Sequence, residues 1–361
     1  MSVFFVGPSP KFITGQSSAF DLLKTYSQLS SFSSRRLYFF YNSEGGSSMF
    51  RLYCFLKFLA LFVYKFIIVR PAVIYISISR SEGGFIKDLP VFLMSYLFKR
   101  RVVVHVHGSD FKDFVDQSTG MLRKLIFYCY NRVDTAIVLT AGMKTEFTAF
   151  PMIQLVVVSN SSESYESLAP FTNNETLRIL FMSNIIKSKG IFELMSAVSD
   201  IHRDGVCITL DIAGSFVADE YLDQNEVERE FYARFDSSCM NYHGIVSGTK
   251  KLEIFDLSNV VALPSYYKTE AQPIVLIEAL SCGRFIISSD YKYIPEYITH
   301  LKNGWLVPDV NVENLKEALR HLVCSQGVFE ETNIVNRRYY AENFTQDTHC
   351  HKIFTLLLDD N

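Results

Sequence analysis

The residues with the clearest chemical potential are two glutamates eight positions apart, Glu270 and Glu278. They follow an apolar β-rich run, and Pro273 between them suits the first position of a helix, where its missing N–H costs nothing. This spacing predicts Glu270 in a loop and Glu278 about one turn inside the helix, with free N–H groups at Ile274 and Val275. One ligand could contact all three places through sugar hydroxyls, a diphosphate and ribose hydroxyls. The alternative is a pair of ordinary carboxylates favoured by the helix dipole.

The glycine motifs of common nucleotide-binding proteins are missing. No Gly-x-Gly-x-x-Gly follows a strand and no Gly-x-x-x-x-Gly-Lys-Ser/Thr is present, which removes the main support for a nicotinamide dehydrogenase and excludes a P-loop. The first apolar run is followed instead by a loop containing Gly15. That loop could offer backbone N–H groups to an anion where a helix begins, which is a weak indication by itself.

Several short motifs accompany the glutamates, and their order carries more information than any one of them. They are His107-Gly-Ser-Asp110, a loop from Ser183 to Gly190 that ends in Lys-Gly, Ile212-Ala-Gly214, His243-Gly-Ile-Val246 and Asn303-Gly-Trp-Leu-Val307. With Glu270 and Glu278 this set resembles the retaining nucleotide-sugar glycosyltransferases of the GT-B fold that carry a Glu-x7-Glu signature, in glycosyltransferase family 4. The resemblance is to the bacterial surface-polysaccharide type and covers nearly the whole chain.

The resemblance implies a role for each matching residue. Lys189 would reach the donor diphosphate and stabilise the charge that develops on the leaving group, a contribution of about 3–4 kcal/mol for one well-placed donor. Glu270 would meet the hydroxyls of the donor sugar, Glu278 those of the ribose, and His107 the transferring sugar. The implied catalytic residues are His107 and Glu270. The implied donor-binding residues are Gly15, Asn184, Lys189, Gln272, Ile274, Val275 and Glu278.

Two positions near these residues are interpreted from the strand pattern. His105 should face the same side of its strand as His107 but lie deeper, so we expect it in the core. Asp110 has two alternatives, an acceptor base or a cap of the following segment.

The sequence departs from the family pattern at two places. Ser183 and Asn184 stand where the family commonly has Gly-Arg, so the cations expected on the diphosphate are reduced to Lys189, with Lys187 as a second candidate. Ala271 stands where the family often has Gly after the first glutamate. The first departure bears on the strength of diphosphate binding and the second on the path of the loop.

Neither a metal nor a cofactor is expected. No Asp-x-Asp motif follows a strand, so the sequence offers no carboxylate pair for Mg²⁺ or Mn²⁺. The adjacent His349, Cys350 and His351 point in different directions on a helix, and we assign them to its surface. For the family, retention implies front-face attack, in which the leaving phosphate takes the acceptor's proton.

Composition indicates a folded chain of about two domains. With 361 residues, 48% hydrophobic and 20% charged, it is too long for one comfortable core and too apolar to be disordered. Its seven cysteines form no Cys-x-x-Cys pair, which fits neither a zinc ribbon nor a disulfide framework and favours a reduced cytosol. The N-terminus lacks the basic region and cleavage site of a signal peptide.

Charge is unevenly distributed. Residues 1–170 hold 18 Lys and Arg against 11 Asp and Glu, with 20 of the 31 Phe, whereas residues 171–361 hold 17 against 27. The basic half suggests a negatively charged, partly apolar partner such as a membrane face. Within it, Leu52–Val69 invites a transmembrane interpretation, but Lys57 and Lys65 would each cost about 2.5–3.5 kcal/mol near a bilayer centre. An amphipathic helix on a membrane and a helix buried in a layered domain are the two alternatives.

An alternation of apolar strands and helical stretches positions these motifs. Continuous apolar runs indicate parallel sheets covered on both faces, and the polar passage Ser159–Thr176 separates two similar halves. We predict an α/β, GT-B chain of two Rossmann-like doubly wound domains facing a cleft. Residues 1–168, with about 343–361, would bind the acceptor, and residues 169–342 the nucleotide-sugar. A helix over about Asn343–Leu358 would cross back onto the first domain.

The leading hypothesis is a metal-independent retaining glycosyltransferase that moves a sugar from a UDP- or GDP-sugar to a lipid-linked saccharide acceptor. It would be cytoplasmic, peripheral to the inner face of the membrane, and would assemble bacterial surface polysaccharide such as O-antigen (lipopolysaccharide) or capsule, with no nucleic-acid partner. One alternative is a GT-B enzyme with a soluble acceptor. Another is a catalytically silent sugar-nucleotide-binding or scaffold protein, which Asn184 motivates.

Overall fold

The computed structural model describes residues 1–11, 14–43, 47–165, 176–325 and 327–359. These residues form two compact units, 1–161 with 346–361 and 162–345. The predicted domain boundary, between residues 168 and 169, lies outside the described residues.

The first unit is built on a parallel sheet of six strands. The strands are β1 (Ser2–Pro8), β2 (Arg36–Ser43), β3 (Val73–Ser77), β4 (Arg101–His105), β5 (Thr135–Val138) and β6 (Gln154–Val157). They lie in the order β2-β1-β3-β4-β5-β6, so the direction of strand addition reverses between β1 and β3. The helices that follow the strands are α1 (Gly15–Leu29), α2 (Ser48–Val69), α3 (Glu82–Leu97), α4 (Phe111–Gln117) and α5 (Gly120–Tyr130).

The second unit repeats this organisation. Its strands are β7 (Leu177–Met182), β8 (Ile208–Ala213), β9 (Met240–Tyr242), β10 (Val260–Leu263), β11 (Phe285–Ser289) and β12 (Gly304–Val307), in the parallel order β12-β11-β10-β7-β8-β9. Its helices are α6 (Ile191–Arg203), α7 (Gln224–Arg234), α8 (Gly248–Leu257), α9 (Ile274–Ser281), α10 (Val312–Cys324) and α11 (Val328–Asn343). The order reverses between β7 and β10. Open α/β sheets bind ligands outside the carboxyl ends of the strands at such a switch point.

The last helix, α12 (Gln346–Leu358), belongs to the first unit although it follows the second in sequence. Phe354 packs in the core of that unit, with its ring centroid 5.7 Å from that of Phe5. The predicted return of the C-terminal helix to the first domain is therefore confirmed. Its predicted start was too early, because Asn343 ends α11 and α12 begins at Gln346.

Two expectations about α12 and the second sheet were wrong. His349 and Cys350 are buried rather than on the helix surface, because α12 lies across the core of the first unit. The edge strand β12 was not predicted as a strand. It is only four residues long, and its Trp305 and Leu306 are half-buried, so it shows little of the apolar run that marks a central strand.

Helix α2 is neither a core helix nor a fully solvated one. Phe58, Phe62 and Phe66, spaced four residues apart, are its buried residues, and the last two pack against Phe4 of the sheet. Among the described residues α2 is the one helix long and apolar enough to cross a bilayer by length and composition, yet only 17% of its most apolar stretch is buried. The alternative of a helix buried in a layered domain does not fit this exposure.

Candidate functional site

The switch point of the second sheet brings Lys189 and Glu270 into direct contact. Lys189 ends a single 3-10 turn after β7, and Glu270 lies in the loop after β10, so the two come from adjacent strands. Their side chains form an ion pair with 12% and 8% of their surface exposed. Ser265 donates a hydrogen bond from Oγ to Oε2 of Glu270 at 2.7 Å. A largely buried cation is therefore held on a carboxylate where this type of sheet binds ligands.

The loops that carry this pair approach each other closely, and a glycine permits it. Gly190 follows Lys189 with φ of 72°, a left-handed conformation that disfavours side chains. A Cβ atom on it would lie 2.2 Å from the carbonyl oxygen of Pro264, the residue directly after β10. The Tyr266 N–H also donates to the Ser188 carbonyl at 2.8 Å. The two residues of the Lys-Gly motif therefore have separate roles. Gly190 lets the two loops approach each other, and Lys189 supplies the charged group.

Asp219, which sequence analysis did not identify, binds the turn that contains Ser188 and Lys189. Its Oδ2 accepts hydrogen bonds from the backbone N–H of Ser188 at 2.8 Å and from the Ser188 hydroxyl at 2.7 Å. Asp219 follows β8, the next strand in the sheet, so nothing in its own surroundings along the chain links it to Lys189. The turn beside Lys189 is therefore fixed by groups from three successive strand ends.

The start of α9 has the geometry of an anion site. Pro273 was predicted at the first position of the helix, but it lies at the N-cap, and the helix begins one residue later at Ile274. No side chain caps its first turn, so the backbone N–H groups of Ile274 and Val275 point out of the helix end, where they favour negative charge. Gln272 is buried beside this turn.

Glu278 lies further along α9, and its partners differ from those of Glu270. It forms an ion pair with Lys251 of α8 and accepts a hydrogen bond from the Tyr165 hydroxyl at 3.3 Å. Burial raises the pKa of Glu278 above its ordinary value, while the Lys251 ammonium acts in the opposite direction. Lys251 and Tyr165 were missed by sequence reasoning because each is far from Glu278 along the chain and belongs to no recognised motif.

The position of the missing family arginine is solvent-exposed. Asn184 accepts a hydrogen bond from the Ser215 hydroxyl at 3.3 Å and contributes no charge. The second candidate cation, Lys187, lies over the ring of Tyr221 at 5.3 Å from its centroid. Among the described residues, Lys189 and Lys251 are therefore the two lysines that form ion pairs with the motif glutamates.

The switch point of the first sheet is held together by Gln16, beside the predicted Gly15. Gly15 is the first residue of α1, and a reciprocal capping box of Thr14 and Ser17 closes the helix start. The Gln16 amide donates to the Ser77 hydroxyl at 3.0 Å and to the Ile78 carbonyl at 3.1 Å, at the end of β3. Gln16 was not identified from the sequence, and it links the loop after β1 to the adjacent strand.

His107 lies just beyond β4 in a cluster of imidazole rings. Its ring centroid is 4.0 Å from that of His105, which is 6.2 Å from that of His349. His105 is fully buried, as predicted, and its Nδ1 is 2.7 Å from the Tyr75 hydroxyl. Nδ1 of His349 is 2.6 Å from the Ser159 carbonyl oxygen, so it donates its proton there.

Burial keeps these histidines neutral. Desolvation lowers the pKa of His107 to about 3, assisted by His349 and Arg80, while Asn160 acts in the opposite direction. Desolvation likewise lowers the pKa of His349 to about 4 and that of His105 well below its ordinary value. At neutral pH the cluster can therefore exchange hydrogen bonds but carries no charge.

Asp110 follows the same strand end and forms an ion pair with Arg80. It occupies the N-cap position of α4 without a side-chain capping bond, so the proposed capping role is not seen. Gly108 lets the arginine pass, because a Cβ atom there would lie 2.3 Å from Cζ of Arg80.

Over the described part of the chain, no three His, Cys, Asp or Glu side chains cluster in a way that could hold a metal ion. The expectation of a metal-independent reaction stays a prediction.

Part of the chain, mostly in the second unit, is similar to a known family. Residues 167–339 match the family described as "Glycosyl transferases group 1". The amylovoran biosynthesis glycosyltransferase AmsK of Erwinia amylovora is 26% identical over 167 residues, covering 45% of this chain and 39% of AmsK. AmsD of the same organism is 28% identical over 248 residues, covering 66% of each. The chain thus spans less than two thirds of either relative.

Solved structures agree on the fold. The structure of Anabaena HepE in complex with UDP and glucose superimposes with a TM-score of 0.71 at 15% identity, over 99% of both chains. Residues 167–339, which make up most of the second unit, are thus similar to the glycosyl transferases group 1 family, and the chain has the two-sheet α/β fold of GT-B glycosyltransferases.

Proposed function

We propose that this protein is a retaining glycosyltransferase that transfers a sugar from a nucleotide-sugar donor to a lipid-linked saccharide in surface-polysaccharide assembly. The observation that carries the proposal is the buried Lys189–Glu270 pair at the switch point of the second sheet, beside the uncapped start of α9. A cation and free helix N–H groups suit a diphosphate, and a carboxylate suits sugar hydroxyls.

The donor would bind along the loops after β7 and β10. Lys189 has three N–H donors, so it can contact a diphosphate oxygen while it keeps its bond to Glu270. The N–H groups of Ile274 and Val275 would share the phosphate charge, and Glu278 would accept hydrogen bonds from the ribose. HepE, whose structure contains UDP and glucose, supports a nucleoside diphosphate sugar as the donor on this fold.

The chemical step would need no protein nucleophile. The bond between C1 of the donor sugar and the diphosphate oxygen breaks, and the acceptor oxygen bonds to C1 from the same face. The acceptor's proton passes to the leaving phosphate, whose growing charge Lys189 and the helix N–H groups stabilise. His107, which is neutral, would donate or accept one hydrogen bond to the sugar rather than move a proton.

The acceptor is proposed from the first unit and from the relatives' names. AmsK and AmsD are amylovoran biosynthesis enzymes, which favours a polysaccharide product. The exposed apolar surface of α2, with Arg51, Lys57 and Lys65 and no acidic residue, favours a cytoplasmic protein held peripherally on the inner membrane face.

A donor-panel assay tests the activity. The full chain is mixed with UDP- and GDP-sugars and a membrane extract containing lipid-linked saccharides, and nucleoside diphosphate release is measured with and without EDTA. We expect release with one donor, dependent on the extract and unaffected by EDTA. An α-linked product from an α-linked donor, identified by NMR, would support retention.

Two results would contradict the proposal. Tight UDP or GDP binding in calorimetry without release from any donor would favour the catalytically silent alternative, for which Asn184 is the motivating residue. Release that depends on a soluble sugar and not on the membrane extract would favour a soluble acceptor.

A further inference from the structure

A groove of about 520 Å³ opens on the first unit between the end of α3 and helix α5. It lies where α3 leads into β4, at the amino-terminal edge of the sheet, and so away from the strand ends that carry His107 and Gly15. Its walls combine leucines, tyrosines and cations: Leu93, Tyr96, Leu97, Lys99, Tyr128 and Arg132. The groove therefore joins an apolar lining to two positive charges.

The cations are held in place by the local backbone. Lys99 lies two residues after the end of α3 in a left-handed conformation, with φ of 52°, and its N–H donates to the Tyr96 carbonyl at 3.1 Å. The Arg132 guanidinium lies over the Tyr128 ring, 3.9 Å from the centroid, and Nη1 donates to the Tyr128 carbonyl at 2.7 Å. This bond uses one of the five N–H donors of the guanidinium, whose fork geometry matches a phosphate.

The charge around the groove is mostly positive. Lys99 begins the consecutive basic run that continues through Arg100 and Arg101. The acidic residue nearest in sequence, Asp134, accepts a hydrogen bond from the Val102 N–H at 2.7 Å. No carboxylate is among the residues that line the groove. An anion is therefore favoured, and the leucine walls favour one attached to an apolar group.

Helix α2 connects this groove to the proposed membrane surface. Phe66, in the last turn of α2, packs on Phe98 with ring centroids 5.2 Å apart, directly before Lys99. Because α2 joins two parallel strands, it runs back from the carboxyl edge of the sheet to the amino edge, over about 33 Å for 22 residues. Its exposed apolar residues, among them Tyr64, Ile67 and Ile68, continue to the end next to the groove.

We propose that this groove binds the phosphate of an anionic phospholipid headgroup, with Arg132 and Lys99 on the phosphate and Leu93 and Leu97 along the start of the acyl chains. The proposal rests on the peripheral membrane association proposed above. Lipid binding at one end of α2 and apolar insertion along the helix would orient the first unit on the bilayer.

Binding of a single lipid molecule tests the groove apart from the membrane. Short-chain phosphatidylglycerol, kept below its micelle concentration, is titrated into the full chain and into the double variant Lys99→Gln/Arg132→Gln. We expect the variant to bind at least about tenfold more weakly, with unchanged thermal unfolding because both positions are exposed. The matched control, Lys57→Gln/Lys65→Gln, removes two cations from α2 and should bind the monomeric lipid as the natural chain does.

The experiment distinguishes a lipid phosphate from inorganic phosphate, and it tests the groove separately from the proposed membrane association. Equal binding by the groove variant, or competition by inorganic phosphate at the same concentration as the lipid, would overturn the lipid site. Sedimentation with phosphatidylcholine vesicles, with and without phosphatidylglycerol, reports on the membrane association itself. Failure of the natural chain to sediment would overturn that association, whereas the monomer titration would still decide the groove.

Discussion

The two sheets differ in the buried polar groups that lie beyond their strand ends, which are mainly ion pairs in the second unit and neutral histidines in the first. In the second unit, Lys189–Glu270 and Lys251–Glu278 are ion pairs with little exposure. In the first unit, the rings of His105 and His107 lie 4.0 Å apart beside His349, and burial keeps all three neutral, while Arg80 and Asp110 form an ion pair beyond the same strand. The difference indicates a division of chemistry within one fold. The lysine–glutamate pairs of the second unit are suited to an anionic diphosphate. The neutral histidines of the first unit are suited to uncharged hydroxyls, which accept and donate hydrogen bonds without a net charge.

The largest expected effect is that of removing the Lys189 charge. Lys189→Met should lower turnover about 10²–10³-fold, because one electrostatic donor is lost from the transition state. It also leaves the buried Glu270 carboxylate without its cation, with only the Ser265 hydrogen bond remaining, so thermal stability should fall. The double variant Lys189→Met/Glu270→Gln should regain stability but no activity, measured by thermal unfolding and nucleoside diphosphate release. Normal turnover in either variant would remove Lys189 from the site.

The next effect concerns the loop that presents this lysine. Gly190→Ala places a Cβ atom against the Pro264 carbonyl oxygen and should destabilise the second unit by more than about 2 kcal/mol. Gly205→Ala is a matched control, because Gly205 also has a left-handed φ, of 86°, but nothing lies within 4 Å of its added Cβ. Its cost should stay at about 1–2 kcal/mol in urea unfolding. Equal costs would show that the loop contact is unimportant.

A smaller effect is expected on the pH dependence of donor binding. An ionised Glu278 accepts hydrogen bonds from ribose more strongly than a neutral one, so binding should weaken as pH falls through its pKa, which burial raises and Lys251 lowers. Lys251→Met should move this loss to higher pH, measured by calorimetry of nucleotide binding across a pH series. An unshifted profile would mean that Glu278 does not bind the ribose. Lys250→Met, one residue earlier on α8, is the control.

The smallest expected effect tests the neutral side of the comparison. The pKa of His349 is about 4 in the folded chain and near 6.5 when unfolded, so the unfolded state binds more protons between these values and stability falls as pH falls through them. His349→Gln keeps a donor for the Ser159 carbonyl but removes this titration. Its unfolding midpoint should change less between pH 6.5 and 5 than that of the natural chain. An identical pH dependence would contradict a neutral buried His349.

Much of the fold was accessible from the sequence. Continuous apolar runs predicted parallel sheets, and the structure has parallel strands such as β10 (Val260–Leu263) in these runs, because strands buried on both faces leave continuous apolar sequence. The Glu-x7-Glu spacing likewise placed Glu270 before a helix and Glu278 inside it. Here local sequence and tertiary structure agree, since loop, N-cap and first helical turns are determined by neighbouring residues.

Other features of the site could not be predicted. Asp219, Lys251, Tyr165 and Gln16 contact the motif residues from strands and helices far along the chain, and no spacing rule connects them. The burial of His349 was missed although the return of the helix was predicted, because the sequence of α12 does not say which of its faces meets the core. The exposure of α2 was undecided for a related reason: an apolar helix of this length with two lysines fits a core or a bilayer surface equally well by composition.

The sequence by itself determined the α/β class, the two halves, the charge difference between them and the pair of glutamates around a helix start. Those properties follow from local periodicity and residue type. Only the tertiary structure decided which lysine meets which glutamate, that three histidines share one buried neutral cluster, and that α2 keeps an apolar surface in solvent. Each of these depends on the order of strands in a sheet, which brings distant segments together and sets the burial that controls their charge.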